Sequence, residues 1–123
     1  MDSLLPTYPP RERGMDTDTG YDRTIYAFDL SEDGTRATNK RPVYLSPGYV
    51  PDGLKVAANG YILTGNGKGL DVLDPFGQLL LTVQTNYTVQ NFAWTGPELK
   101  TLWMMGSGGI SKVEWNLPGQ ELK

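Results

Sequence analysis

Three observations predict that the chain is an all-β protein, a partial β-propeller. Short runs rich in β-branched and aromatic residues are separated by turn residues over most of its length. Glycine (15 residues) and proline (9 residues) recur so often among the 123 residues that no amphipathic helix of convincing length is expected. Several runs also repeat after about 40 residues, which is the period of a propeller blade with about four strands.

The repeat has a constant offset of 40 residues in the second half of the chain and an offset of 45 residues further upstream. The matching segments are 60–63 with 100–103, 69–73 with 109–113, and 25–29 with 70–74. A propeller has about 4 to 8 blades, so even the smallest one requires roughly 160 residues at this period. The chain therefore holds about two to three blades: the outer part of one, a complete blade over 52–84, and most of another over 90–115.

The elements are predicted in order along the chain. Residues 1–22 contain three prolines and no sustained apolar period, so they are expected to form an irregular N-terminal arm or an eroded strand. Residues 23–123 are assigned to the propeller domain. Within it, each strand is bounded by Gly, Pro, Asn or Asp. The predicted strands are 24–30, 42–45, 54–58, 61–64, 69–73, 79–84, 90–94, 101–105 and 110–115.

The composition excludes several functional classes. A net charge of −3 and a pI near 4.8, without a cluster of basic residues, argue against a nucleic-acid partner. Without cysteine there is no disulfide, thiol nucleophile or zinc–cysteine site. Without histidine there is no Ser-His-Asp triad and no His-ligated metal. Catalysis would therefore depend on carboxylates, amides, hydroxyls, lysine, tyrosine or a metal bound by oxygen.

The sequence predicts neither a membrane span nor secretion. No window approaches the ~18 consecutive apolar residues of a transmembrane helix. The first residues lack the basic region and the apolar core of a signal peptide, so a cytoplasmic location is expected.

Asp52 is the leading candidate for a functional residue. It stands between Pro51, which restricts the approach of the chain, and Gly53, which permits a close bend, immediately before an apolar strand. This setting would mount the carboxylate rigidly at the mouth of a strand. Pro-Asp-Gly is also among the commonest turn tripeptides, so a turn residue is the alternative interpretation.

The ordered set of segments resembles the family of gluconolactonase, senescence marker protein and luciferin-regenerating enzyme, most closely its fungal lactonohydrolase-like members. The resemblance covers about residues 18–115. It is carried by Asp18-Thr19 and by segments 25–29 (IYAFD), 50–56 (VPDGLKV), 69–77 (GLDVLDPFG) and 91–103 (NFAWTGPELKTLW).

This resemblance implies a six-bladed propeller that binds one divalent cation at the top of its central channel and hydrolyses sugar lactones or related esters. Asp52 matches the family's aspartate in Pro-Asp-Gly, which implies that it is a metal ligand and the general base. An oxygen-only site suits Ca²⁺ or Mg²⁺, and the family also accepts Zn²⁺. The family's other two ligands, a glutamate and an asparagine from earlier strands, have no matching residue in this chain.

Three functional hypotheses follow. The first is a lactone or ester hydrolase that uses a divalent metal, or a truncated piece of one, with Asp52 as ligand and base. The second is a non-catalytic remnant or assembly module of the same family that acts through protein or ligand binding. Catalysis of another step on a lactone-like metabolite is a third, because fold does not determine chemistry. The absent blades also predict a second copy or a partner chain that completes the propeller.

Polar and aromatic residues of the last blade are secondary candidates. Gln90 and Asn91 begin its innermost strand, at the position that Asp52 and Gly53 hold in theirs, so they are predicted to bind substrate; the alternative is that these amides satisfy turn backbone. Trp94, Trp103 and Trp115 are expected to pack between blades rather than to form a sugar-stacking platform.

Overall fold

The computed structural model describes residues 2–6 and 23–121, and in these ranges it contains ten β-strands and no helix. None of the described residues therefore belongs to a helix that could cross a membrane. The strands are β1 (Asp2–Pro6), β2 (Thr24–Leu30), β3 (Ala37–Leu45), β4 (Leu54–Val56), β5 (Ile62–Asn66), β6 (Gly69–Leu73), β7 (Leu79–Gln84), β8 (Asn91–Thr95), β9 (Thr101–Gly106) and β10 (Gly109–Glu114).

The described strands form three antiparallel sheets, each of consecutive strands. Their orders are β1-β2-β3, β4-β5-β6-β7 and β8-β9-β10. The four-stranded sheet is the complete blade predicted over 52–84, and the three-stranded sheet after it is the predicted partial blade. The prediction of an all-β, partial β-propeller fold is therefore confirmed.

The chain divides into two compact units, Met1–Pro51 and Asp52–Lys123. In the first unit β1 pairs with β2, with Ser3 opposite Phe28. Asp2–Pro6 thus form a strand, which is the alternative considered for part of 1–22. Residues 7–22 lie outside the described residues, and the irregular arm stays a prediction. The assignment of 23–123 to one propeller domain stays a prediction.

Strand β3 is longer than the segment 42–45 that the sequence predicted. Its first half carries polar side chains, and two irregularities in its pairing with β2 accommodate them. Asn39 has a positive φ of 55° there, a conformation that asparagine tolerates better than most residues. The Arg41 guanidinium forms a 2.9 Å ion pair with Asp29 on β2, which holds the polar half of the hairpin together.

The second unit has a core between its two sheets. Alternate residues of β9, Leu102 and Met104, are buried, as the two-residue period of a strand requires. In contrast, β5 and β6 are buried at every position because they are the central strands of the four-stranded sheet. The buried core residues are Ala57, Leu63, Leu70, Val72, Val89, Phe92, Leu102 and Met104. Each large aliphatic side chain buried in this way contributes about 1.5–3 kcal/mol.

A buried polar network spans the four-stranded sheet. The carboxylate of Asp71, which is 5% exposed, accepts hydrogen bonds from the Asn66 amide at 2.9 Å and from the Thr82 hydroxyl at 2.7 Å. Asn66 in turn accepts a hydrogen bond from the backbone N–H of Lys68. Asn66 is itself buried, although its neighbours Gly65 and Gly67 form a typical turn pattern, and its amide donates to the Asp71 carboxylate in the interior.

The segment after β10 returns to the two sheets of the second unit. The Trp94 indole N–H donates to the Leu117 carbonyl at 3.0 Å, and the Ala58 N–H donates to the Pro118 carbonyl at 2.9 Å. Gly119 lies against the Trp94 ring so closely that an added Cβ would be 2.5 Å from it. Trp94 and Trp115 both pack against the core, which confirms the structural role predicted for them.

Candidate functional site

Asp52 lies just before β4, and its backbone is held on both sides. Its N–H donates to the Gly65 carbonyl at 2.7 Å, at the far end of the neighbouring strand β5. The next residue, Gly53, accepts from the Gly65 N–H at 3.0 Å and donates its own N–H to the Gln90 carbonyl at 3.0 Å. These three bonds fix the peptide that carries the carboxylate to two separate sheets.

Gly53 is required at this position because the two sheets approach each other closely here. A Cβ on Gly53 would lie 2.8 Å from the Gln90 carbonyl oxygen and 3.2 Å from Asn91 Oδ1, the side-chain oxygen of the next residue. Any larger residue would push the two segments apart. The structure therefore brings together the three residues that the sequence nominated, Asp52, Gln90 and Asn91.

Gln90 and Asn91 are held differently from each other. The Gln90 N–H donates to the Met105 carbonyl at 2.9 Å, and its side chain is exposed. Asn91 Oδ1 accepts a hydrogen bond from the Phe92 N–H at 2.9 Å, which orients the carboxamide. The backbone-satisfying role considered for these amides is thus present in Asn91, whereas neither side-chain NH₂ group donates a hydrogen bond to the described residues.

The Asp52 carboxylate is half-buried, and within the second unit none of residues 52–121 donates a hydrogen bond to it or forms an ion pair with it. By contrast, the buried carboxylate of Asp71 accepts hydrogen bonds from Asn66 and Thr82 at its two oxygens. Asp52 is therefore the carboxylate of this site with lone pairs available to a ligand, a water molecule or a cation.

The described residues alone do not make a complete site for a divalent cation. No group of three or more Asp or Glu side chains occurs among them. Asp52 offers one carboxylate, and Gln90 and Asn91 offer amide oxygens, one of which already accepts a hydrogen bond. Ca²⁺ takes about 6–8 oxygen ligands, so this set is too small to hold the ion without further donors.

A groove that the sequence did not indicate follows the same two strands away from Asp52. It has a volume of about 480 Å³, within the range of small-molecule sites. Its lining is mostly apolar with one cation and one amide: Lys55, Val56, Ala93, Trp94, Leu99 and Gln120. Single-sequence patterns cannot reveal it, because the groove exists only where β4, β8 and the C-terminal segment meet.

The chain belongs to the SMP-30/gluconolactonase/LRE-like family, whose sequence profile matches residues 14–107. Among curated proteins it is similar to lactonohydrolase oryH of Aspergillus oryzae, with 50% identity over 101 residues. That match covers 82% of this chain and 22% of oryH, so the chain spans about a fifth of the length of this relative.

Solved structures agree with this assignment. One is the X-ray structure of a protein inferred to be a gluconolactonase, with a TM-score of 0.74 and 31% identity over 81% of this chain and 34% of that protein. Another is a gluconolactonase from Xanthomonas campestris, with a TM-score of 0.66 and 26% identity over 76% of this chain and 30% of that enzyme. The resemblance noted in the sequence is confirmed, and the chain is part of a lactone hydrolase family.

Proposed function

We propose that this chain supplies part of the active site of a lactone hydrolase, with Asp52 as the general base and a ligand of a divalent cation. Gln90 and Asn91 would bind the substrate at the same place. The observation that carries the proposal is the position of Asp52: its backbone is fixed against Gln90 through Gly53, while its carboxylate has no partner among the described residues. A structural turn aspartate would be expected to use its carboxylate to cap the local backbone, as Asp74 does for Phe76 and Gln78.

Lactone hydrolysis requires one proton transfer at each of two oxygens. Water attacks the carbonyl carbon, and the Asp52 carboxylate takes the proton that the water loses. The tetrahedral intermediate then collapses with cleavage of the bond between the acyl carbon and the ring oxygen, and the ring oxygen receives the proton. The product is an open-chain hydroxy acid, and Asp52 is again ionised. The side-chain NH₂ groups of Gln90 and Asn91 would donate hydrogen bonds to substrate oxygens during these steps.

Members of the family generally use a divalent cation, and Asp52 would contribute one oxygen ligand to it. Ca²⁺, Mg²⁺ and Zn²⁺ are the candidates. When bound, such an ion polarises a carbonyl and lowers the pKa of a bound water. The remaining ligands would come from residues beyond the described ranges or from a second chain that completes the propeller. The small share of oryH that the chain matches, 22%, supports a site with contributions from elsewhere.

The experiment compares the wild-type chain with Asp52→Asn and with Glu98→Gln, a control that removes an exposed carboxylate far along the sequence. Calorimetric titration with Ca²⁺, Mg²⁺ and Zn²⁺ measures cation binding, and proton release from a panel of sugar and aliphatic lactones measures activity. We expect cation binding and lactone hydrolysis in the wild type and in Glu98→Gln, and loss of both in Asp52→Asn. Binding and activity that are equal in all three proteins would refute the role of Asp52.

A non-catalytic role is the competing function, and one observation favours it: the described residues provide a single carboxylate at the site. In that case the chain would act as an assembly or ligand-binding module of the family. Absence of cation binding and of hydrolysis at every protein concentration, with the fold intact, would favour this module over the hydrolase.

A further inference from the structure

Strand β7 has an unusual surface for the outer strand of a sheet. It pairs with β6 on one side, and no described strand pairs with its other side. Three consecutive leucines on it are 41%, 47% and 49% exposed: Leu79, Leu80 and Leu81. Phe76, in the turn that leads into the strand, is 89% exposed. We call these four residues and the outer edge of β7 the β7 surface.

The β7 surface lacks the usual protection of an edge strand. Proteins commonly guard exposed edges with charged side chains, especially lysine, or with proline. Here β7 contains neither, and residues 75–97 include no Asp, Glu, Lys or Arg at all. One protective feature is present, a β-bulge. The register shifts between Val72 and Leu73, which leaves Leu80 as an extra residue in the pairing with β6. The regular edge is therefore Leu81–Gln84, and the leucines and Phe76 flank it.

We propose that the β7 surface is an interface in which β7 pairs antiparallel with β7 of a second copy of this chain. The edge of an antiparallel strand presents alternating N–H and C=O groups, and a two-fold rotation places donors opposite acceptors on an identical edge. A closed two-fold contact requires such a self-complementary surface. Residues 75–97 carry no charge, so pairing of two β7 strands places no like charges of this segment opposite each other.

The size of the β7 surface sets the strength of this contact. The largest exposed apolar patch on a typical monomer is about 300–600 Å². The β7 surface has four apolar side chains that are 41–89% exposed, which is a patch of roughly this order. Two such patches bury less than the ~1,200–2,000 Å² of a stable specific interface. The dimer should therefore be reversible and dependent on concentration, and not an obligate one.

The first test is sedimentation velocity over a concentration series for the wild type, Leu81→Lys and Ile110→Lys. Ile110 is a matched control, since it is 65% exposed on β10, the outer strand of the other sheet in this unit. We expect Leu81→Lys to weaken self-association by about tenfold or more, because it places two charges in the contact. The Ile110→Lys variant should dimerise like the wild type. Lysine at either exposed position should leave folding intact.

The second test uses the absence of cysteine in the chain. Single cysteines replace Leu79, Leu81 or Val83 in separate proteins, and Ile110 in a control. Mild oxidation should produce a disulfide-linked dimer much faster from at least one β7 position than from position 110, because the two-fold contact brings a residue close to its twin.

A wild-type chain that stays monomeric up to its solubility limit overturns the proposal. So does a dimer that survives Leu81→Lys, or one that dissociates with Ile110→Lys instead, since the copies would then meet through another sheet. Asp52 precedes β4, which lies at the opposite edge of the four-stranded sheet from β7, so the β7 contact itself adds no ligand beside Asp52. Failure of this proposal and failure of the proposed hydrolase function are therefore separate results.

Discussion

The backbone N–H of Gly53 donates a hydrogen bond to the carbonyl oxygen of Gln90 over 3.0 Å, and this contact joins the residues that immediately precede β4 and β8, strands of two neighbouring sheets. Asp52 precedes one partner and Asn91 follows the other. The Asp52 carboxylate and the Asn91 amide, which the sequence predicted as separate candidates, therefore lie at one site. They do so because glycine at position 53 allows the two segments to approach closely. Replacing Gly53 by a residue with a side chain should therefore affect both the fold and the site.

Replacement of Gly53 by alanine should destabilise the chain by about 1–3 kcal/mol, because the new Cβ would lie 2.8 Å from a backbone oxygen that cannot rotate away. Urea unfolding followed by tryptophan fluorescence measures the change. Gly48→Ala is the control, since no atom lies within 4 Å of its added Cβ, and it should stay within about 0.5 kcal/mol of the wild type. Equal stability of the two variants would contradict the close approach.

Asp71→Asn should cost about 1–3 kcal/mol of stability, because one oxygen that accepts from Asn66 or Thr82 becomes an NH₂ group facing a donor in the interior. Asp52→Asn is the matched control, with the same chemical change at a carboxylate that has no partner among the described residues. Thermal unfolding at neutral pH compares the two. A larger loss in Asp52→Asn would show that Asp52 has a structural role instead.

Truncation of a side chain to alanine should reduce the free energy of unfolding much more at a buried position than at an exposed position of the neighbouring strand. Leu102→Ala removes a side chain that is 0% exposed and should reduce the free energy of unfolding by about 2–5 kcal/mol. Ile110→Ala, at a position that is 65% exposed, should change it by about 0.5 kcal/mol or less. Denaturant midpoints give both values, and similar losses would mean that the second sheet packs differently.

Asp33 should titrate below the range of an ordinary aspartate. Hydrogen bonds from the Ser31 hydroxyl, then from the Thr35 hydroxyl and backbone N–H, lower its pKa from 3.8 to about 2. The folded pKa lies below the unfolded one, so the contribution of Asp33 to stability is complete above pH 3.8 and is lost as the pH falls towards about 2.

Carbon-detected NMR titration of the Asp33 carboxyl measures that pKa directly. In Ser31→Ala the strongest of these hydrogen bonds is absent, so the pKa should rise towards its ordinary value. A midpoint near 3.8 in the wild-type chain would contradict the turn geometry.

Most strands could be predicted from the local sequence of each segment. The sequence predicted β2, β6 and β7 with the bounds that the structure has, because each is an apolar run between turn residues. It missed β1, whose five residues include a proline and become a strand only by pairing with β2. It also shortened β3, whose polar half is stabilised by the Arg41–Asp29 ion pair across the hairpin.

By itself, the sequence determined the fold class of the chain: local propensity, turn chemistry and a 40-residue repeat predict a partial propeller. The resemblance of its ordered segments indicated the gluconolactonase-like family, which the comparisons confirmed. The sequence also nominated Asp52, Gln90 and Asn91. Only the tertiary structure decided that these three meet and that the Asp71 carboxylate has partners where Asp52 has none among the described residues. It also decided that no described strand covers the outer edge of β7. The physical reason is that each of these facts depends on which residues, distant in sequence, the packing of sheets brings within a few ångströms.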